Sequence, residues 1–121
     1  MDAIVGAVTG SLRAPEVLVV GRHRGEVLEV VGRTDKLKDD HAAEIGKLLK
    51  PAGPRHPWPV EISTRWGRGS TTPLIKVQAR LLVEVAADAA LQASQYRHPL
   101  RLVRHRTDLT PDDVDTLPTD T

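Results

Sequence analysis

No cysteine occurs among the 121 residues, and aromatic side chains are limited to Trp58, Trp66 and Tyr96. Without thiols there are no disulfide staples, no thiolate zinc sites and no cysteine nucleophile, and a reducing cytoplasm is the expected compartment. The core must therefore hold by packing alone. No apolar run approaches the roughly 18 residues that a membrane span requires, and the sequence turns strand-like at Asp2-Ala3 without the basic region and cleavage site of a secretion signal. These features predict a soluble monomer with no membrane partner, and at this length one domain fills the chain.

Scarce aromatics also bear on the kind of polyanion such a chain could hold. Binders of single-stranded nucleic acid stack successive bases on several rings, at about 1–3 kcal/mol per base. Three rings are too few for that, so a duplex held by its phosphates fits better. Charge supports a polyanionic partner. The formal net charge is only +1, but residues 107–121 carry Asp108, Asp112, Asp113, Asp115 and Asp120 with no Lys or Arg, which leaves +6 on residues 1–106. An ordinary solvated surface would account for as much.

Short β-branched runs at Ala3 to Val8, Val17 to Arg22 and Glu26 to Val31, separated by Gly10, Gly21 and Gly25, predict a three-strand meander. Gly25 falls where a tight hairpin needs positive φ. The unbroken apolar stretch Val17 to Val20 should be buried on both faces. Asp39-Asp40-His41 then opens a helix with Ala42, Ile45, Leu48 and Leu49 on one face, acidic residues at its start and Lys47 and Lys50 near its end. Pro51 and Gly53 stop it. Pro51 to Pro73 holds so many Pro and Gly residues that it reads as a long surface loop, with a possible strand at Val60 to Ser63 and Trp58 and Trp66 as anchors. Strands resume at Leu74 to Val77, Leu81 to Val85 and Leu100 to Val103. Thr110-Pro111-Asp112-Asp113 has the cap, the proline and the acidic residues of one short helical turn. This order of elements, mainly β with one α-helix between the third and fourth strands, is that of a five- to six-stranded OB barrel over residues 1–109, followed by an acidic, largely disordered tail at 110–121.

The densest chemistry lies in Arg97, His98, Arg101, Arg104, His105 and Arg106, around a short apolar strand. Arginines in that setting can meet phosphates as bidentate donors, each releasing counterions on binding. They could equally guard the edge of a sheet. Arg101 and Arg104, three apart, fall on opposite faces of a regular strand, which predicts that one of them lies past its end. His23, His41, His56, His98 and His105 show no paired helical spacing with acidic support, so no metal site is expected. Gly67-Arg68-Gly69-Ser70 lacks the strand-to-helix setting of a phosphate loop or nucleophile elbow.

Ordered blocks of the chain resemble the C-terminal OB domain of ATP-dependent DNA ligases of the actinobacterial type. They are Ile4 to Arg22 with Gly6, Thr9, Gly10, Leu12, Arg13, Ala14 and Pro15, then Val31-Gly32-Arg33-Thr34, Pro51-Ala52-Gly53, Pro57-Trp58, Trp66-Gly67, Val83-Glu84-Val85 and Arg97-His98-Pro99. Arg106-Thr107-Asp108-Leu109 is similar to the Arg-x-Asp-Lys element that ends this domain, with leucine in place of the lysine. The Lys-x-Asp-Gly element that takes AMP is missing; Lys36-Leu37-Lys38-Asp39-Asp40 matches neither its spacing nor its glycine.

The resemblance implies a domain that wraps nicked duplex DNA and caps the ATP site of a separate nucleotidyltransferase domain, in DNA repair. ATP and Mg2+ would act in that parent ligase, and no cofactor is expected in this chain. Arg106 and Asp108 would assist lysine adenylation, Arg106 reaching out from beyond the strand to orient pyrophosphate, or they would form no more than an exposed ion pair. Arg97, His98, Arg101, Arg104, Arg13 and Arg68 are the expected DNA-phosphate contacts. Two other readings stay open: a free-standing nucleic-acid-binding OB module, and a domain that recruits repair factors through the loop from Trp58 to Trp66.

Overall fold

The computed structural model describes residues 2–25, 27–52, 61–63, 71–86 and 100–114. Three long antiparallel strands come first: β1 (Asp2–Gly10), β2 (Pro15–Arg24) and β3 (Val27–Arg33). Helix α1 (Asp39–Leu48) follows. A short hairpin, β4 (Glu61–Ser63) with β5 (Thr71–Pro73), leads to β6 (Ile75–Lys76), β7 (Leu82–Ala86), β8 (Arg101–Arg106) and a single 3-10 turn at Pro111–Asp113.

The main sheet runs β3-β2-β1-β7-β8, with β6 on the second half of β1. Its two ends meet. Thr34, just past β3, and Leu100, just before β8, form a parallel bridge in which Leu100 N–H donates to the Arg33 carbonyl at 2.7 Å and Asp35 N–H to the Leu100 carbonyl at 2.8 Å. Thr34 also ties β2 into this seam. Its N–H donates to the Leu18 carbonyl at 2.9 Å while its Oγ1 accepts from Leu18 N–H at 3.0 Å. Thr34 is fully buried, so an unpaired Leu18 N–H there would be costly. A closed, mainly antiparallel sheet of this order, with one helix between the third strand and the last two of the main sheet, is an OB barrel.

Two apolar clusters flank the wall. The inner one takes Ala3, Val5, Val8, Leu18, Val20, Val83, Val85 and Leu100 from the strands, closed at one end by Leu37, Ala42 and Ile45. The outer one takes Ile4, Ala7, Val19, Leu28 and Leu82, and Leu109 and Val114 from the C-terminal segment pack over it. Leu18 and Val20 point inward and Val19 outward, so this stretch of β2 is buried on both faces as its unbroken apolar run predicts.

Bulges set which residue faces which side. On β1 the pairing with β2 skips Gly6, between Val5↔Val20 and Ala7↔Val19, so Ile4 and Ala7 share the outer face although three apart. Gly25 turns the β2–β3 hairpin at φ 62°, as its position predicts. Two expectations need correction. Within the stretch from Pro51 to Pro73 the possible strand at Val60 to Ser63 is present as β4, but a second strand, β5, pairs with it where only loop is expected. Leu48 is 39% exposed instead of joining Ala42 and Ile45 in the core, since α1 ends there and only Leu49 turns back onto the barrel. Trp58, Trp66 and Tyr96 lie outside the described residues.

Candidate nucleic-acid interface

The β7–β8 ladder positions the arginines. Its register pairs Leu82 with Arg106, Val83 with His105, Glu84 with Arg104, Val85 with Leu102 and Ala86 with Arg101, leaving Val103 as a bulge. Leu82 belongs to the outer cluster, whereas Val83 and Val85 belong to the inner one. Cross-strand partners share a face. Arg101, Arg104 and Arg106 therefore form one row on the outer wall, opposite Ala86, Glu84 and Leu82. Leu102 and His105 face the other way, Leu102 onto the inner cluster and His105 toward α1, with Nδ1 3.9 Å from Glu44 Oε2.

The bulge corrects the strand-period argument. Arg101 and Arg104 lie on the same face, and neither lies past the end of β8. Arg106 likewise is the last residue of the strand, and its side chain is only 19% exposed.

Three carboxylates surround Arg106. Asp108 grips it with two hydrogen bonds, Nε to Oδ1 at 3.1 Å and Nη2 to Oδ2 at 2.8 Å. Its Nη1 lies 3.6 Å from Asp2 Oδ1 and 3.8 Å from Glu84 Oε1. Asp2 and Glu84 stand directly opposite each other on β1 and β7, where like charges repel. Arg106 Nη1 lies within 3.8 Å of both. Asp2 Oδ1 is buried and accepts no hydrogen bond from the described residues, with Arg106 Nη1 the cation beside it. On the other side of Asp2, Arg22 donates to its backbone carbonyl from Nε at 3.2 Å and Nη2 at 3.1 Å. Charged groups thus cross β2, β1, β7 and β8, with arginines at either end and the two carboxylates between them.

The electrostatics follow from these contacts. Hydrogen bonds from Arg106 hold the Asp108 carboxyl down at about 2, against an ordinary 3.8, and Asp108 raises Arg106 in return. Glu84 is lowered mainly by its hydrogen bond from Arg104 Nε, at 2.9 Å. Arg104 nevertheless keeps 61% of its side chain exposed. Arg101 is exposed and makes no hydrogen bond or ion pair with any described residue. Along the row, the cations pass from unengaged Arg101 through half-engaged Arg104 to fully engaged Arg106.

Arg13 stands apart, exposed on the β1–β2 turn. Gly10 enters that turn at φ 86°, and Ser11 Oγ accepts from Ala14 N–H at 3.1 Å. The turn lies directly on α1. A Cβ on Gly46 would fall on the Arg13 carbonyl, with the Leu12 oxygen 2.9 Å away. Arg97, His98 and Arg68 lie outside the described residues. Sequence reasoning missed Asp2, Glu84 and Gly46 as residues that arrange this surface. The carboxylates carry no local signal, because their partners come from other strands.

The chain matches no protein-family model and no curated protein. Among solved structures, the ligase domain of M. tuberculosis LigD is similar, with TM-score 0.71 and 18% identity over 96% of this chain and 38% of that one. Mycobacterial DNA ligase D complexed with ATP and MES is similar with TM-score 0.70 and 18% identity, over 96% of this chain and 37% of that one. At this identity the likeness is one of fold. The chain spans well under half the length of either structure.

Proposed function

We propose that this chain is the C-terminal DNA-binding OB domain of an ATP-dependent DNA ligase, engaging nicked duplex DNA in repair and assisting lysine adenylation by a separate nucleotidyltransferase domain. The observation that carries the reading is the arginine row on the outer wall of β7 and β8. It ends in Arg106-Thr107-Asp108, which resembles the last ligase motif in sequence, on a fold similar to part of a ligase domain over 96% of this chain. DNA phosphates would meet Arg101 and Arg104 first, with Arg13, Arg68, Arg97 and His98 extending the surface. Arg106 would act on pyrophosphate only by exchanging Asp108 for it, and with Leu109 in the lysine position it would act without that second charge. ATP and Mg2+ belong to the partner domain. The isolated chain is inactive on this reading, because it has no lysine in the sequence setting that takes AMP.

Fluorescence anisotropy with a nicked duplex and with a dT oligomer, across a salt series, tests the binding. The duplex should bind with little sequence preference and lose affinity steeply as salt rises, and dT should bind no better. A preference for dT that survives high salt would overturn the reading in favour of a free-standing single-strand-binding OB module.

A further inference from the structure

Glu84 stands in an unusual place for a surface meant for DNA. Its carboxylate accepts from Arg104 Nε at 2.9 Å and lies 3.8 Å from Arg106 Nη1, so it sits between the last two guanidinium groups of the row. Carboxylate and phosphate oxygens make the same demand on guanidinium donors, and a phosphate diester competes for them with a full negative charge.

The two arginines differ in how readily they can change partner. Arg106 is largely covered and held twice by Asp108, whereas Arg104 is mostly exposed and held by Glu84 alone among the described residues. Should Arg104 leave, Glu84 would keep Arg106 as a neighbouring cation. Release of Arg104 therefore does not strand a half-buried carboxylate without a counter-charge.

We propose that Glu84 is an internal competitor for Arg104: it occupies the place of a DNA phosphate on the β7–β8 wall, and duplex binding displaces it. The proposal rests on the reading of this wall as a duplex-binding surface. Arg101 makes the first contact, Arg104 exchanges Glu84 for phosphate, and Arg106 stays in place as the anchor of the displaced carboxylate. Glu84 thereby lowers the affinity of the wall and keeps its hold on DNA releasable.

The test is Glu84→Gln in the full chain, which keeps the shape and an acceptor oxygen but removes the charge. Duplex affinity at ~0.1 M salt should rise roughly 2- to 5-fold, the size of one exposed ion pair no longer competing. The slope of log affinity against log salt should steepen by up to about one unit, because no displaced carboxylate is left to take up a cation on binding. Asp112→Asn, which makes the same change in net charge on the exposed 3-10 turn, should have a smaller effect. Arg104→Ala should weaken the Glu84→Gln chain more than the native chain and abolish its gain, a coupling that general loosening of the barrel would not produce.

If Glu84→Gln leaves affinity and slope unchanged while Arg101→Ala weakens binding, the competitor is overturned and the duplex-binding surface stands. An equal gain from Asp112→Asn overturns it as well. If neither the native chain nor Glu84→Gln binds duplex at all, both readings fall together.

Discussion

Asp2 and Glu84 face each other directly across β1 and β7, two carboxylates in register, and Arg106 Nη1 lies within 3.8 Å of both. The residue that the ligase resemblance assigns to pyrophosphate thus also neutralises a repulsive pair in the barrel wall. Any experiment on Arg106 must separate these two tasks.

Arg106→Ala should lower the thermal midpoint by several degrees, because the facing carboxylates lose the cation they share and buried Asp2 Oδ1 loses an ion-pair partner at 3.6 Å. Combining it with Asp2→Asn should cost less than the sum of the two single changes. Additive losses in thermal melts would mean that the repulsion is absent.

Asp108 should titrate at about 2, well below its ordinary 3.8. Since the folded-state value is depressed, its contribution to stability is complete above pH ~4 and fades as pH falls toward 2. Carbon-detected NMR titration of the Asp108 carboxyl reads this directly. In Arg106→Ala the midpoint should return close to 3.8, and a midpoint that stays near 2 would place the cause elsewhere.

Thr34→Val should cost about 1–3 kcal/mol in chemical denaturation, since the buried Leu18 N–H loses its acceptor at the barrel seam. Thr34→Ser keeps the hydroxyl and should restore most of that stability. A loss in Thr34→Ser larger than that in Thr34→Val would point to the methyl group, which valine keeps, instead of the hydrogen bond.

Gly46→Ala sets two effects against each other. Helix propensity alone favours alanine by about 1 kcal/mol. The new Cβ, however, would land on the Arg13 carbonyl and the Leu12 oxygen, backbone atoms that cannot rotate away. The clash should win, giving a lower melting temperature and weaker duplex binding through a displaced Arg13 turn. A more stable variant would show that α1 and the β1–β2 turn can separate at little cost.

Much of the barrel was legible because its signals are local. Gly25 turned the hairpin, Val17 to Val20 went to a doubly buried strand, and Thr110-Pro111-Asp112-Asp113 became a capped 3-10 turn with Asp113 Oδ2 accepting from Thr110 N–H at 2.8 Å. The helix was legible for the same reason, from the period of Ala42, Ile45, Leu48 and Leu49, although Leu48 ends up exposed. What escaped depends on register. The bulge at Val103 has no glycine to announce it, and without it the face of Arg101 follows the wrong parity. Gly6, by contrast, is the kind of glycine within a strand that can mark a bulge. The charge belt over Asp2, Glu84 and Arg106 joins residues up to 104 positions apart in sequence, and only barrel closure brings them together. The close approach of Gly46 to Arg13 is equally non-local, since a glycine inside a helix looks like no more than a propensity cost.

Nick sealing tests the central claim most directly. A nucleotidyltransferase domain from an ATP-dependent ligase, deprived of its own C-terminal domain, would be assayed alone, fused to this chain, and fused to the Arg101→Ala, Arg104→Ala double variant. The account predicts that the native fusion restores sealing of nicked duplex at low salt, that the double variant loses most of the gain while still forming its AMP adduct, and that this chain alone forms no adduct. Sealing that is no better in the native fusion than in the truncated domain, with the barrel folded by circular dichroism and the expected NMR spectrum, would contradict it.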